Sequence, residues 1–227
     1  MDKNLFSKVS KESLENAQLW IKDAELLMDN RSFGHAYSLI VIADEEISKA
    51  HVCWLVAEDM IPYDSKLVKQ AFSDHLIKGQ MSFGIELSRF FRAMYETLSN
   101  KEKKAIKEKD ATELKNAFFS KISDDELEEF TESLNKIWKW VDVVVKFRER
   151  IRQIGLYVNF DWNRRIMTTP KTIDEDTVQG LLEGVKSRYE GIKYILTTST
   201  NKEKKRMKEF FSLIPEEAWK NDNWAVN

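Results

Sequence analysis

Residues Gly34–Trp54 read GHAYSLIVIADEEISKAHVCW, and this stretch carries a strong structural signal. Apolar residues fill Ala36–Ala43 almost without interruption, and a second apolar run follows at Val52–Ala57. A helical stretch with so little polar character is typical of the centre of a bundle rather than of its surface. We therefore predict a central helix over about Phe33–Asp59.

Three carboxylates and a lysine lie at the middle of this predicted helix. Glu45 and Lys49 are four positions apart and Glu46 and Lys49 are three apart, so each pair shares one face of a helix. On an exposed helix such a pair adds only about 0.2–0.5 kcal/mol, whereas charges inside a bundle are unfavourable unless they are paired. The carboxylates, of which Asp44 is the first, therefore belong to a structural polar network, a functional site or a plain solvent boundary.

The composition of the 227-residue chain favours an all-α fold. It contains only 7 Gly and 3 Pro, which argues against a sandwich or barrel of many short strands. We expect a helical bundle that forms a single domain over residues 1–227. Aromatic and β-branched residues near 156–169 indicate a small irregular loop or β-hairpin. Residues 99–132 are expected to form a charged connecting segment or insertion, and residues 200–227 a C-terminal helical extension.

Polar residues and a glycine indicate where individual helices begin and end. Ser10 and Ser13 are candidate N-caps of the first helix. Thr172 and Glu175 have the spacing of a capping box at the start of a later helix. Gly155 follows a basic amphipathic helix and is expected to end it.

Several function classes find no support in the sequence. The formal net charge is −2, so the whole chain lacks the basic character of nucleic-acid-binding domains, although a local basic patch is compatible with it. The single cysteine, Cys53, allows neither a disulfide framework nor a cysteine-based zinc site, and we interpret it as a small buried apolar residue. The sequence has no glycine-rich phosphate loop and no nucleophile elbow, which argues against kinases, nucleotide hydrolases and esterases.

We expect a cytoplasmic protein without membrane association. The N-terminal residues lack an apolar signal region, and the run Ala36–Ala43 is too short to span a bilayer. The sequence contains no Glu-x-x-His and no His-Glu-x-x-His motif, so we expect neither a metal site nor a cofactor.

A second group of polar residues comes later in the chain. His75 and Lys78 are three positions apart and share a helix face. A lone helical histidine is more often structural or exposed than catalytic. We nevertheless expect these residues to meet Glu45, Glu46 and Lys49 in a polar seam within the bundle, which organises a site or a dimer contact.

A basic helix is predicted directly before the 156–169 segment. Residues 136–152 contain six basic residues against two acidic ones, and aromatic residues follow at once. Bases interleaved with aromatic rings can hold RNA phosphates and stack on nucleobases, which makes Lys146, Arg148 and Arg150 candidates for RNA binding. The alternative is that the rings fill the core while the arginines are solvated or paired with the acidic part of the charged segment.

Three features occur in order along the chain: Gly34-x-Ala36 with Glu45-Glu46-x-x-Lys49-Ala50, then His75-x-x-Lys78, then Arg152-x-x-Gly155-Leu156-Tyr157-Val158 with Pro170 downstream. Over about Ser13–Thr198, this ordered set resembles the AbiV family of abortive-infection proteins in the wider HEPN helical superfamily. The resemblance implies an all-α bundle, a homodimer, and defence of a prokaryotic cell against phage by halting host functions such as translation. It also implies RNA or the translation machinery as a target and a phage protein as a trigger.

The same resemblance bears on catalysis. Many HEPN proteins are metal-independent ribonucleases that use an arginine and a histidine with four to six residues between them, and no histidine of this chain has that spacing after an arginine; the nearest, Arg31 and His35, have three residues between them. Arg152 and Tyr157 have four residues between them, at the position where such proteins place their motif. As a hypothesis, Arg152 holds the scissile phosphate and stabilises its developing charge, while Tyr157 orients a 2′-hydroxyl or donates a proton.

Two other functions stay open at this point. The first is a non-enzymatic helical module that senses or binds a phage or host protein, which the missing Arg-to-His motif favours. The second and weaker one is a housekeeping protein with a small-molecule pocket lined by Trp138, Trp140 and Tyr157.

Overall fold

A computed structural model describes residues 3–82, 141, 143–161 and 165–212 of the chain. In chain order these residues form α1 (Lys3–Asp29), α2 (Phe33–Ala57), α3 (Lys66–Ser73), α4 (described over 75–82), α5 (described over 143–156), strands β1 (Asn159–Asp161) and β2 (Ile166–Thr168), a 3-10 helix (Pro170–Thr172), α6 (Glu175–Thr198) and α7 (Asn201–Phe211). The predicted all-α helical bundle is confirmed, and β1 and β2 pair as the antiparallel hairpin expected near 156–169.

Of the helices described, none has both the length and the apolar character that crossing a membrane requires.

The central helix is α2, as its composition predicts. It packs mainly against α1 and also against α6, α3 and the 3-10 helix. Ile40 and Ile47 are fully buried, and so is Asp44 between them. Because neighbours surround α2, apolar residues are needed around most of its circumference, which is why its sequence lacks the usual amphipathic alternation.

The first helix begins at Lys3, earlier than the candidate caps predict. Ser10 and Ser13 lie inside α1 and are buried, so their assignment as N-caps is wrong. The Ser10 hydroxyl donates a hydrogen bond to the Ala50 carbonyl oxygen of α2 at 2.7 Å. The Ala50 carbonyl oxygen thus satisfies the buried hydroxyl of Ser10, and the small size of serine suits the close interface between α1 and α2.

Asp74 separates α3 from α4 and starts the second of these helices. The α3 helix ends at Ser73, and Asp74 Oδ1 accepts hydrogen bonds from Leu76 N at 2.9 Å and Ile77 N at 3.1 Å. This is an N-cap, in which a carboxylate satisfies amide groups that have no partner within the helix. His75 therefore lies on the first turn of α4.

The cap of α6 differs from the predicted one. Asp174 Oδ1 accepts a hydrogen bond from Thr177 N at 2.8 Å, which makes Asp174 the N-cap. Thr172 belongs to the 3-10 helix that Pro170 begins. The predicted capping box at Thr172 is therefore wrong, because the proline starts a separate turn before α6.

The described part of the segment 200–227 is helical over Asn201–Phe211. An ion pair of 2.5 Å between Lys204 Nζ and Glu58 Oε1 connects α7 to the end of α2. The charged segment 99–132 and the residues after 212 lie outside the described residues. The assignment of residues 1–227 to a single domain stays a prediction.

Candidate functional site

The motif residues Gly34, Gly155 and Pro170 meet where α2, α5 and the 3-10 helix come together. A Cβ atom on Gly155 would lie 2.3 Å from the Gly34 carbonyl oxygen, and one on Gly34 would lie 2.4 Å from the Pro170 carbonyl oxygen. Glycine is required for such a close approach of two backbones. Gly155 thus serves helix contact, and its predicted role of ending α5 is wrong because that helix continues to residue 156.

Ser38 holds the backbone of α5 beside this contact. Its buried hydroxyl lies 2.9 Å from the Arg152 carbonyl oxygen and 3.1 Å from that of Gly34, and it can donate to either. Arg152 therefore projects from a main-chain position that α2 fixes.

The three consecutive carboxylates of α2 contact three different sets of cations. Successive residues of an α-helix are about 100° apart around its axis. Asp44 contacts arginines of α5 and α6, Glu45 contacts residues of α4, and Glu46 pairs with Lys49 in its own helix. Among the described residues, the three carboxylates at the middle of α2 therefore make three separate sets of ion pairs and do not form one network.

Glu45 connects α2 to the start of α4. Its Oε2 lies 2.7 Å from Nδ1 of His75 and 3.8 Å from Nζ of Lys78. The Glu45 side chain is 7% exposed, whereas that of His75 is 53% exposed. The buried carboxylate orients the imidazole through Nδ1 and leaves Nε2 for another partner. The structure thus brings together three of the five residues of the predicted polar seam.

Glu46 and Lys49 form a pair of their own. Lys49 Nζ lies 2.6 Å from Glu46 Oε1 and 6.0 Å from the centre of the Phe72 ring. The structure describes both Glu45 and Lys49, and no ion pair joins them. The remaining two residues of the predicted seam are therefore separate from the Glu45 contact.

Arg152 pairs with Glu149, one turn earlier in α5. Its Nε and Nη2 donate to the two carboxylate oxygens at 2.7 and 2.6 Å, which is a bidentate ion pair. Gln153 Nε2 donates to Oε1 of the same carboxylate at 2.9 Å. The Arg152 side chain is 11% exposed, so the pair lies largely beneath the surface.

Electrostatic interactions link this pair to the contact between Glu45 and His75. Burial alone would raise the pKa of Glu149, but hydrogen bonds from Arg152 and a neighbouring glutamine, with the charge of Arg152 and that of His75 when it is protonated, hold this pKa below its usual value. The hydrogen bond to Glu149 raises the pKa of Arg152, and so do Glu45 and, once it is ionised at high pH, Tyr157. These five residues form what is called here the Arg152 cluster: Glu45, His75, Glu149, Arg152 and Tyr157.

The remaining predicted site residues lie along α5 and just beyond it. Tyr157 follows the helix, and its side chain is 61% exposed. Lys146 and Arg150 are exposed, as residues that contact RNA need to be. Arg148 instead points inward, and its side chain is 11% exposed.

Asp44 is a fully buried charge with two arginine partners. Its Oδ1 accepts a hydrogen bond from Nε of Arg188 at 2.7 Å, and its Oδ2 lies 2.8 Å from Nη2 of Arg148 in an ion pair without hydrogen-bond geometry. Burial alone would raise the pKa of Asp44, but the two guanidinium groups hold it below its usual value. Asp44 thereby connects α2 to both α5 and α6.

Arg188 and Glu149 were missed by reasoning from the sequence. A carboxylate within an apolar run signals that a cation must reach it, but Arg188 is 144 residues away from Asp44. The spacing of Glu149 and Arg152 allows an ion pair, which many exposed helices also show without any functional role.

The described residues argue against a cysteine nucleophile and offer no group of metal ligands. Cys53 is fully buried, as predicted, and burial raises its pKa to about 12, so the thiol is protonated and unreactive. Within the part of the chain that the structure describes, no three His, Cys, Asp or Glu side chains group closely enough to hold a metal ion. Trp138 and Trp140, which belong to the predicted small-molecule pocket, lie outside that part.

Comparison with known protein families gives a match over most of the chain. The model of the HEPN-type family described as AbiV matches residues 6–190, which include the whole Arg152 cluster. No curated protein and no solved structure matches the chain. The chain belongs to the AbiV family of HEPN proteins, whose members are abortive-infection proteins.

Proposed function

We propose that this AbiV protein arrests its host by cutting RNA and that the Arg152 cluster is the active site. The observation that carries the proposal is the position of His75, which the buried Glu45 orients and which lies within electrostatic reach of Glu149, the partner of Arg152. Cutting RNA in the cytoplasm would stop translation, which is the host function expected to be halted.

The fold places His75 close to the pair of Arg152 and Glu149, although no histidine follows Arg152 at the spacing of the usual HEPN motif. In the usual HEPN motif an arginine and a histidine follow each other closely, whereas here Arg152 lies on α5 and His75 on α4. Catalysis depends on where side chains lie in space and not on their order in the sequence. A histidine from another helix therefore supports the same chemistry.

Each catalytic residue has a role in breaking a phosphodiester bond. The neutral imidazole of His75 takes the proton of a ribose 2′-hydroxyl, and the 2′-oxygen attacks the phosphorus. Arg152 pairs with phosphate oxygens and stabilises the charge that develops on them. The bond from phosphorus to the 5′-oxygen breaks, and that oxygen takes up a proton from Tyr157 or from water. The products are a 2′,3′-cyclic phosphate and a 5′-hydroxyl.

The surroundings of the cluster suit a polyanion. Lys146 and Arg150 are exposed on the same helix as Arg152. Positive side chains at such positions bind the phosphates that flank the one being cut. The exposed ring of Tyr157 offers a surface on which a nucleobase can stack.

A different observation favours a second function. Val143, Phe147, Tyr157 and Val158 are large apolar residues on or directly after α5, and each is more than half exposed. Exposed apolar residues of this kind are typical of protein-binding surfaces. In this alternative the protein is a non-enzymatic module that binds a phage or host protein, and a homodimer is its expected assembly.

The proposal is tested by inducible expression in a bacterial host, with growth, bulk translation and RNA integrity followed together. Wild type is compared with Arg152→Ala and His75→Ala. Arg206→Ala and His35→Ala are controls that remove the same residue types outside the cluster, and both of these residues are exposed. We expect growth arrest with cleaved RNA in the wild type and both controls, and neither effect in the two cluster variants.

The other outcomes are informative. Arrest with intact RNA would contradict cleavage and favour the binding module. Arrest with cleaved RNA that appears only after phage infection would support the proposal and identify a need for a phage trigger. Full toxicity of Arg152→Ala would show that the active site lies elsewhere.

A further inference from the structure

We propose that the Glu149 carboxylate occupies the phosphate-binding edge of Arg152 and so keeps this arginine in a resting state. An RNA phosphate activates the site by displacing Glu149. The inference rests on the proposed function, because it takes a phosphate as the ligand of Arg152. It gives a regulatory role to Glu149, which has no part in the cleavage chemistry itself.

The Glu149 carboxylate occupies the edge of Arg152 that suits a phosphate. Nε and Nη2 of Arg152 each donate to a different carboxylate oxygen, at 2.7 and 2.6 Å. A guanidinium presents the same fork to a carboxylate and to a phosphate, and both ligands bind to it in the same bidentate way. A phosphate therefore cannot take this edge while Glu149 holds it.

Further contacts stabilise the closed arrangement. Gln153 donates to Oε1 of Glu149 at 2.9 Å, so this oxygen accepts a second hydrogen bond. Although burial raises the pKa of Glu149, its hydrogen bonds and the charge of Arg152 lower it overall, which keeps the carboxylate ionised at neutral pH. The pair is mostly buried, which limits competition from solvent.

Opening the pair requires only the rotation of a side chain. Glu149 and Arg152 are three residues apart in one helix, so their backbones need not move when the pair separates. The Arg152 carbonyl oxygen stays bound to the Ser38 hydroxyl. Once Glu149 turns away, Arg152 presents its fork from the same fixed position within the cluster.

The charge of the site also opposes phosphate binding while Glu149 is present. With the imidazole of His75 neutral, Glu45 and Glu149 carry two negative charges and Lys78 and Arg152 two positive ones, so these groups have no net charge. Loss of the Glu149 charge leaves an excess of one positive charge, which favours a polyanion.

The inference is tested by measuring how the purified full-length protein binds a fluorescent 2′-O-methyl RNA oligonucleotide. This probe cannot be cut by the proposed reaction, because it has no free 2′-hydroxyl. Glu149→Gln is expected to lower the Kd by about three- to tenfold, as loss of one close competing charge would do. The gain should disappear in the double variant Glu149→Gln/Arg152→Ala.

Glu190→Gln is the matched control. Glu190 forms an ion pair with Lys193 over the same three-residue spacing, but on α6 and outside the cluster. Its loss changes the net charge equally and should alter the Kd by less than about twofold. An equal gain in both variants would show that only the total charge matters and would overturn the inference.

Unchanged or weaker binding by Glu149→Gln would also overturn the inference, since Glu149 would then position Arg152. If thermal unfolding shows that this variant does not fold, Glu149→Asp takes its place. The shorter side chain keeps the charge but cannot hold both donors in the same way, so a smaller gain in affinity is expected. No gain in that variant would overturn the inference as well.

Cleavage of unmodified RNA of the same sequence, measured in parallel, separates this inference from the proposed function. Tighter binding by Glu149→Gln without cleavage in any variant would support the resting state and reject RNA cleavage. Cleavage by the wild type that falls in Glu149→Gln, with no gain in binding, would reject the resting state and keep the proposed function.

Discussion

Nδ1 of His75 lies 2.7 Å from Oε2 of Glu45, and this contact joins the middle of the central helix α2 to the first turn of α4. The carboxylate is buried and the imidazole is half-exposed. A buried acceptor on one ring nitrogen fixes the orientation of the ring and leaves the other nitrogen for substrate. The same principle prepares histidines for proton transfer in unrelated enzymes.

Glu45→Gln should lower the rate of RNA cleavage by about 10- to 100-fold under conditions in which the variant is folded. Glutamine keeps the size of the side chain but removes the negative charge that stabilises a protonated His75. The single-turnover cleavage rate of the purified protein measures the effect. Glu46→Gln, which affects the neighbouring pair with Lys49, is the control and should cleave at the wild-type rate. Equal losses in the two variants would contradict the role of Glu45.

Asp44→Asn should destabilise the protein by about 3–5 kcal/mol at neutral pH. The substitution leaves the largely buried guanidinium groups of Arg148 and Arg188 without their counter-charge. Urea denaturation measures the free energy of unfolding. The exposed pair of Glu25 and Lys186 provides the contrast, since Glu25→Gln should change this energy by about 0–1 kcal/mol. A similarly small change for Asp44→Asn would show that the buried pair is not needed for stability.

The free energy of unfolding should fall as the pH drops below about 4. The pKa of Asp44 is lower in the folded protein than its ordinary value of 3.8, so the unfolded chain binds more protons in this range. The stabilisation is fully present above the unfolded-state pKa and is lost as the pH falls through the folded-state value. Urea denaturation between pH 7 and pH 3 tests this, and Asp44→Asn should show a shallower dependence than the wild type. Curves of equal slope would count against Asp44 as a source of the acid sensitivity.

Alanine at two different glycines should have opposite effects on stability. Gly155→Ala places a Cβ 2.3 Å from the Gly34 carbonyl oxygen and should destabilise the protein by about 1–3 kcal/mol or more. Gly180 lies inside α6 with nothing within 4 Å of its Cβ position, so Gly180→Ala should stabilise the protein by about 0.5–1 kcal/mol. Thermal unfolding compares the two variants. Equal stability would mean that α2 and α5 do not approach as closely as described.

Part of the fold and of the site could be predicted from the sequence. The apolar run of α2 indicates a central helix, because burial on several sides is a property of the local composition. The alternation of residues near 156–169 likewise indicates the hairpin. The meeting of Glu45 with His75 and Lys78 could be expected, since a carboxylate on a buried helix needs a partner.

The sequence by itself thus determined the all-α fold and the central position of α2, whereas only the tertiary structure decided which polar groups pair. Asp44 takes a partner 144 residues away, and Ser10 donates to Ala50 instead of capping α1. Lys49 pairs with Glu46, although its spacing from Glu45 is equally suitable. Periodicity is a property of a short window of sequence. Several ion-pair partners can be equally well spaced along the sequence. Which of them forms the pair depends on how the packed helices cross, and that geometry arises only when the whole chain is folded.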